Sequence, residues 1–154
     1  MLWPTPRFQD NHNGTVTDKL TGLPWLKQAT CSAISPAEGG ADWATALAGA
    51  RTLAHGTCGL TDKSVAGDWR LPNVKELESL MDFGFSSPSL SNADGTGPWM
   101  EGDAFSGVRL AGYWSSTTFV DSHFAFVVYT DGSYTTFIAK QSDGYMVWPV
   151  RGGP

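Results

Sequence analysis

The stretch "GDWRLPNVKELESLMD", residues 67–82, constrains the fold more than any other part of the chain. Asn73 followed three residues later by Glu76 has capping-box spacing, in which each side chain satisfies an orphan backbone N–H of a first helical turn. Pro72 restricts Leu71 to extended conformations, so the helix is approached along an extended segment. Val74, Leu77, Leu80 and Met81 then recur on one face, whereas Lys75, Glu78 and Ser79 point elsewhere. The pattern predicts a short helix of about two to three turns, docked by one face. It contains no catalytic constellation.

A second helix is expected in "ADWATALAGARTLAHG". Trp43, Ala46, Leu47, Ala50, Leu53 and Ala54 share a face, Asp42 is the N-cap and Gly56 the stop. Its alanines imply close packing against a sheet. "RFQDNHNGTVTD" reads as a β-hairpin turning on Asn13-Gly14 in a type I′ turn, and "TGLPWLK" as a strand carrying Trp25. Residues 28–40 read as loop. From Asp10, a calcium loop would need ligands where His12 and Gly14 stand and glycine where Thr15 stands, so the register fails.

Residues 83–112 are rich in Ser, Gly, Pro and Asp and read as one long irregular stretch, partly pinned by Phe85, Leu90, Trp99, Met100 and Phe105. The last third holds four strand-like runs, "YWSSTT", "FAFVVYT", "SYTTFIA" and "YMVWPV", with turns at Asp131-Gly132 and Asp143-Gly144. The expectation is a single α+β domain over residues 1–154, with two helices packed on a twisted antiparallel sheet and long irregular loops.

The totals bound the function. With 154 residues, 41% apolar and 12% aromatic, the chain can bury one sizeable core. The net charge is −5, and the ten Lys and Arg residues stand singly, which excludes a basic stripe for nucleic acid or for an anionic membrane surface. No apolar run approaches the roughly 20 residues that span a bilayer, so direct membrane insertion is not expected. "MLWPTPRFQD" has neither a basic start nor an apolar core of signal-peptide type, and the expectation is a domain trimmed from a preceding segment. Cys31 and Cys58 fit no metal or redox spacing. A disulfide closing a loop of roughly 28 residues is expected, placing the protein outside the reducing cytosol; two separate buried thiols are the alternative.

Five segments occur in a telling order: "RFQDNHNGTVTDKLTGLPWLK", "DWATALAGARTLAHG", "GDWRLPNVKELESLMD", "YWSSTT" and a closing "VRGG". Together they resemble the C-terminal domain of Legionella collagen-like adhesins, the Lcl C-terminal domain family, over about residues 7–153. The resemblance implies a C-type lectin-like fold in an extracytoplasmic bacterial or phage protein. "RLPNVKELESL" and "VRGG" are also similar to elements of formylglycine-generating enzymes. The late cysteine pair of those enzymes is absent, as are the Glu-Pro-Asn, Gln-Pro-Asp and Trp-Asn-Asp signatures of calcium-dependent lectins. The adhesin family is associated with sulfated glycosaminoglycans, which an acidic chain repels at long range.

No nucleophile elbow, zinc-protease motif, P-loop or dinucleotide fingerprint is present, and no cofactor is expected. His12, His55 and His123 read as surface or capping residues, and no metal ligand set is assigned. The expected role is an extracellular or cell-surface adhesion module without catalysis, recognising a glycan or protein receptor. Its candidate ligand-binding residues are Trp99, Glu101, Asp103, Phe119, Asp121, His123 and Tyr134, because polar loops with exposed aromatics combine hydrogen bonding with stacking. Trp25, Trp43, Trp69, Trp114 and Trp148 read as core. Two alternatives keep the fold: a variable ligand-binding protein of a diversity-generating retroelement, presenting Tyr113 to Tyr145, or a trimeric assembly cap on a fibre or pilus.

Overall fold

A computed structural model describes residues 3–35 and 40–152; residues 36–39 of the 28–40 loop and Gly153 of the closing motif lie outside the described residues. In chain order the elements are β1 (Phe8–Asp10), β2 (Thr15–Asp18), β3 (Leu23–Leu26), α1 (Trp43–Thr52), β4 (Trp69–Arg70), α2 (Val74–Leu80), β5 (Gly112–Thr118), β6 (Phe124–Tyr129), β7 (Tyr134–Ala139) and β8 (Val150–Arg151).

The α+β class holds, but the strands form two sheets rather than one. One has the order β1-β2-β3-β8-β4 and the other β5-β6-β7. The run "YMVWPV", expected to be the fourth strand of the meander, instead crosses to the first sheet. After β7 the chain is captured by the segment leading into α1, where Trp43 N donates to Lys140 O and Ala41 N to Tyr145 O. Gly40 (φ +90°) permits this, because a Cβ there would stand 2.4 Å from the Tyr145 carbonyl oxygen. Val150 then pairs with Trp25 and Arg70, closing the five-stranded sheet.

Both helices start as expected. Asp42 accepts from Thr45 N at 2.8 Å, and Asn73 and Glu76 form the full capping box. Helix α1 is shorter than its apolar pattern: Leu53 is the C-cap and Ala54 lies beyond it. Ala46 and Ala50 are fully buried, and Gly49 lets the helix touch the backbone of Ile34, where a Cβ would stand 2.3 Å from the carbonyl oxygen. The close contact is therefore with a loop as well as with β4 and β5. Glu76 also receives both guanidinium nitrogens of Arg70 at 2.7 Å, and Arg70 Nη2 donates onward to Gly152 O at 2.7 Å. The Trp-Arg-Leu-Pro lead-in thus buries Trp69, ties the helix start to the C-terminal strand and seats Pro72 O under Ser116 N.

The β1–β2 hairpin turns differently from the expected type I′ geometry. Four residues, Asn11–Gly14, connect the strands, and the positive φ angles fall on His12 and Gly14 rather than on Asn13 and Gly14. Asn13 Oδ1 accepts from Thr15 N instead. Residues 83–112 are irregular as expected yet firmly held: Leu90 and Phe105 are fully buried and Trp99 packs against the core. Met100, expected to pin this stretch, faces solvent.

Cys31 and Cys58 form the expected disulfide, with Cα atoms 5.9 Å apart. It ties the loop after β3 to the turn after α1. Replacing both cysteines with serine is expected to lower stability by about 3.5 kcal/mol on loop-closure entropy, and Tm by about 10 °C. Calorimetry of the variant against the oxidised protein checks this; a shift under about 2 °C would place the stabilisation elsewhere.

Candidate functional site

The three-stranded sheet and its turns expose Val120, Tyr134 and Phe137. Its register pairs Phe126 with Phe137 and Tyr129 with Tyr134, and alternation sends these two pairs to opposite faces. On one face, at the β5–β6 turn, Phe119 stacks on Phe137 with ring centroids 4.2 Å apart and planes 13° apart. Phe126 meets Phe119 edge-on at 5.7 Å, and Phe124 meets Phe137 at 5.6 Å. The cluster is only partly covered: Phe137 is 45% exposed, and neighbouring Val120 is 92% exposed. Helix α2 borders the same face, with Thr135 donating to Glu78 and Val74 N to Thr117 Oγ1.

The turn places polar groups beside these rings. Phe119 N donates to Phe124 O and Phe124 N to Asp121 O, closing the turn. Asp121 Oδ1 accepts from His123 N and lies 2.8 Å from His123 Nδ1. The backbone N–H of His123, then its ring, hold the Asp121 carboxyl below its ordinary range, so it is anionic at neutral pH. Phe119, Asp121 and His123 are therefore brought together.

Tyr134 lies elsewhere, on the opposite face at the β6–β7 end. It is 52% exposed and stacks on Tyr129 with centroids 4.5 Å and planes 8° apart. Burial, with Tyr145 and Tyr134 alongside, pushes the Tyr129 phenol up to about 12, so it remains a neutral hydroxyl.

Trp99, Glu101 and Asp103 make a third group, turned toward their own loop. Trp99 Nε1 donates to Phe105 O, the Glu101 carboxylate accepts from Gly107 N, and Asp103 Oδ1 accepts from Ala93 N. The seven candidates thus divide among three places. Phe124, Phe126 and Phe137, which complete the Phe119 cluster, were not among them. The signal for them lay in the alternation of "FAFVVY" and in the hairpin register centred on Asp131-Gly132.

Among the described residues, no group of three His, Cys, Asp or Glu side chains is placed to hold a metal ion. No described helix is long and apolar enough to cross a membrane. The five core tryptophans stand as expected: Trp25, Trp69, Trp114 and Trp148 are fully buried, and Trp43 packs against the core.

No curated protein and no solved structure matches the chain. The family model of the Lcl C-terminal domain matches residues 14–151, which is nearly the whole length. That span runs from the β1–β2 turn through both helices and both sheets to β8, so the chain belongs to the Lcl C-terminal domain family.

Proposed function

We propose that the protein is a ligand-binding, adhesin-like module, displayed outside the cell, which recognises a glycan or protein receptor without catalysis. The observation that carries this reading is the aromatic cluster of Phe119, Phe124, Phe126 and Phe137, in which Phe137 is exposed and the other three rings are partly buried, flanked by the Asp121–His123 pair. Apolar rings at the centre of a contact with charged groups at its rim are the usual anatomy of a recognition surface. Membership of the family supports the adhesive role and a C-type lectin-like architecture. The disulfide is consistent with an oxidising, extracellular setting.

The test is a glycan, glycosaminoglycan and receptor array probed with the multivalent protein, once with calcium and once with EDTA. Phe137→Ala and Phe119→Ala are each expected to weaken the binding found by about 30-fold or more, the roughly 2 kcal/mol threshold of a hot-spot ring, without changing the fold. Wild-type binding in both variants would sink the aromatic face as the contact.

A second reading, an assembly cap, draws support from β7. It is an edge strand of the three-stranded sheet, and "YTTFIA" carries neither charge nor proline to discourage pairing with another chain. A homotrimer by light scattering would favour it. A retroelement variable protein, the remaining alternative, would use the same β5–β7 surface.

A further inference from the structure

A second, chemically different site lies away from the aromatic cluster, between the β1–β2 turn and the disulfide. A cavity of about 360 Å³ opens there, lined by Asp10, His12, Lys27, Gln28, Gly59 and Ser106 among others. That volume is at the lower end of the range for small-molecule sites, roughly 300–1,000 Å³.

The walls are tied together before any ligand arrives. Gln28 and Ser106 form an isolated parallel bridge, with Ala29 N donating to Ser106 O at 2.8 Å and Ser106 N to Lys27 O at 3.0 Å. The hairpin turn is locked onto the 57–61 turn by Thr61 N donating to Asn13 O at 2.9 Å. The two backbones touch where Gly14 meets Gly59: a Cβ on Gly14 would stand 2.5 Å from Gly59 O. Gly59 in turn leaves room for the Gln28 amide, whose Nε2 would be 2.9 Å from an added Cβ. Cys58 is anchored by its bond to Cys31. Little conformational entropy remains to be lost on binding.

The lining chemistry selects the occupant. Lys27 Nζ and Asp10 Oδ2 are 2.5 Å apart, and Asp10 Oδ1 accepts from His12 N at 2.8 Å. The ammonium and carboxylate neutralise each other, so this pair gives the cavity no net charge with which to select an ion. Apart from the His12 imidazole, which is 88% exposed at the mouth, the lining includes no aromatic and no purely aliphatic side chain to favour a lipid or a flat apolar molecule. It offers donors and acceptors side by side: ammonium, carboxylate, primary amide and hydroxyl. Such a set matches adjacent hydroxyl groups, each of which donates and accepts at once.

We infer that this cavity binds one neutral pyranose unit, with Asp10 and Lys27 holding adjacent hydroxyls and the Gln28 amide a third. The inference goes beyond the receptor-binding reading and uses none of its residues, so either can fail alone.

The experiment is a titration of ¹⁵N-labelled protein with the neutral methyl glycosides of glucose, galactose, mannose and N-acetylglucosamine, and with glucuronate and glucose 6-sulfate as charged comparisons. Concentrations run to about 50 mM, which covers the millimolar affinity of a single sugar contact. At least one glycoside is expected to shift the amide signals of His12, Gln28, Gly59 and Ser106 saturably. Gln28→Ala and Asp10→Asn should each weaken that binding by about fivefold or more while leaving distant signals in place. Three outcomes overturn the inference: no saturable shift with any of the four, shifts confined to the Phe119–Phe137 face, or tighter binding of glucuronate or glucose 6-sulfate than of the neutral glycosides.

Discussion

Replacing Arg7 with methionine is expected to cost about 3–5 kcal/mol, the range for breaking a buried ion pair from one side. Arg7 and Asp18 are both buried, with Nη2 and Oδ2 3.4 Å apart. The same nitrogen donates to Ser79 O at 2.6 Å and to Leu80 O at 3.4 Å, where the last carbonyls of α2 lack helical partners. The guanidinium also lies 4.5 Å from the Phe8 ring centroid. One side chain therefore joins the start of the first sheet to the end of the second helix. Methionine retains much of the packing but strands the Asp18 charge, and this dominates the cost. Asp18→Asn keeps an acceptor for Leu20 N, which now bonds Oδ1 at 2.9 Å, and removes the charge. The double variant Arg7→Met/Asp18→Asn is accordingly expected to recover at least about 1 kcal/mol of the loss. Urea unfolding of the three variants measures this. A double variant no more stable than Arg7→Met would show that lost packing and lost carbonyl contacts, not the stranded charge, set the cost.

Arg7 also shows where sequence reading stops. In the sequence it is one of ten scattered cations, and nothing local marks it as buried. Its partners lie 11 and 72 positions away, so only the tertiary fold assigns it a role. Features written in local chemistry were legible. The Asn73–Glu76 box, the Asp42 cap and the strand at Trp25 all stand as read. The disulfide was the favoured reading of two cysteines that fit no metal or redox spacing, with separate buried thiols left open, and the structure decides for the bond.

The two hairpins separate what a turn motif does and does not specify. A turn centred on Asp131-Gly132 pairs Phe126 with Phe137, which is the observed register. The aromatic face could thus have been written down from the sequence by carrying that register four pairs back. A turn centred on Asn13-Gly14 pairs Asp10 with Thr17, yet Asp10 faces Val16. A one-residue slip reverses which face each side chain takes. The slip comes from outside the hairpin, because Gly14 must lie against Gly59 and Asn13 O must accept from Thr61 N. The Asp10–Lys27 pair and its cavity depend on that tertiary contact, so the cavity had no local signal. Trp99, Glu101 and Asp103 illustrate the converse. Their residue types suggested recognition, but a long loop without regular structure needs its own polar groups to satisfy its backbone.

The division into two sheets makes Trp148 the residue whose truncation should be felt most widely. Its ring meets Trp25 of β3 at 6.0 Å, Phe105 of the long loop at 5.0 Å and Tyr113 of β5 at 5.3 Å. Its Nε1 donates to Leu26 O at 3.0 Å. Both sheets and the irregular stretch therefore converge on one side chain, and a strand reading of "YMVWPV" concealed this by placing Trp148 within a single meander. Trp148→Ala removes the transfer energy of the ring, opens a cavity among rigid neighbours and loses the bond to Leu26, for an expected cost of about 4 kcal/mol. Trp148→Phe fills most of the space and forfeits mainly the hydrogen bond, at about 1–2 kcal/mol. Hydrogen exchange distinguishes a shared node from a local one. In Trp148→Ala, amides of β2–β3 and of β5–β6 should lose protection together, by similar free energies, because one contact set supports both sheets. If the β5–β6 amides keep their wild-type protection while β2–β3 weakens, the sheets are separate cooperative units, and the aromatic face rests on α2 and its own strands alone.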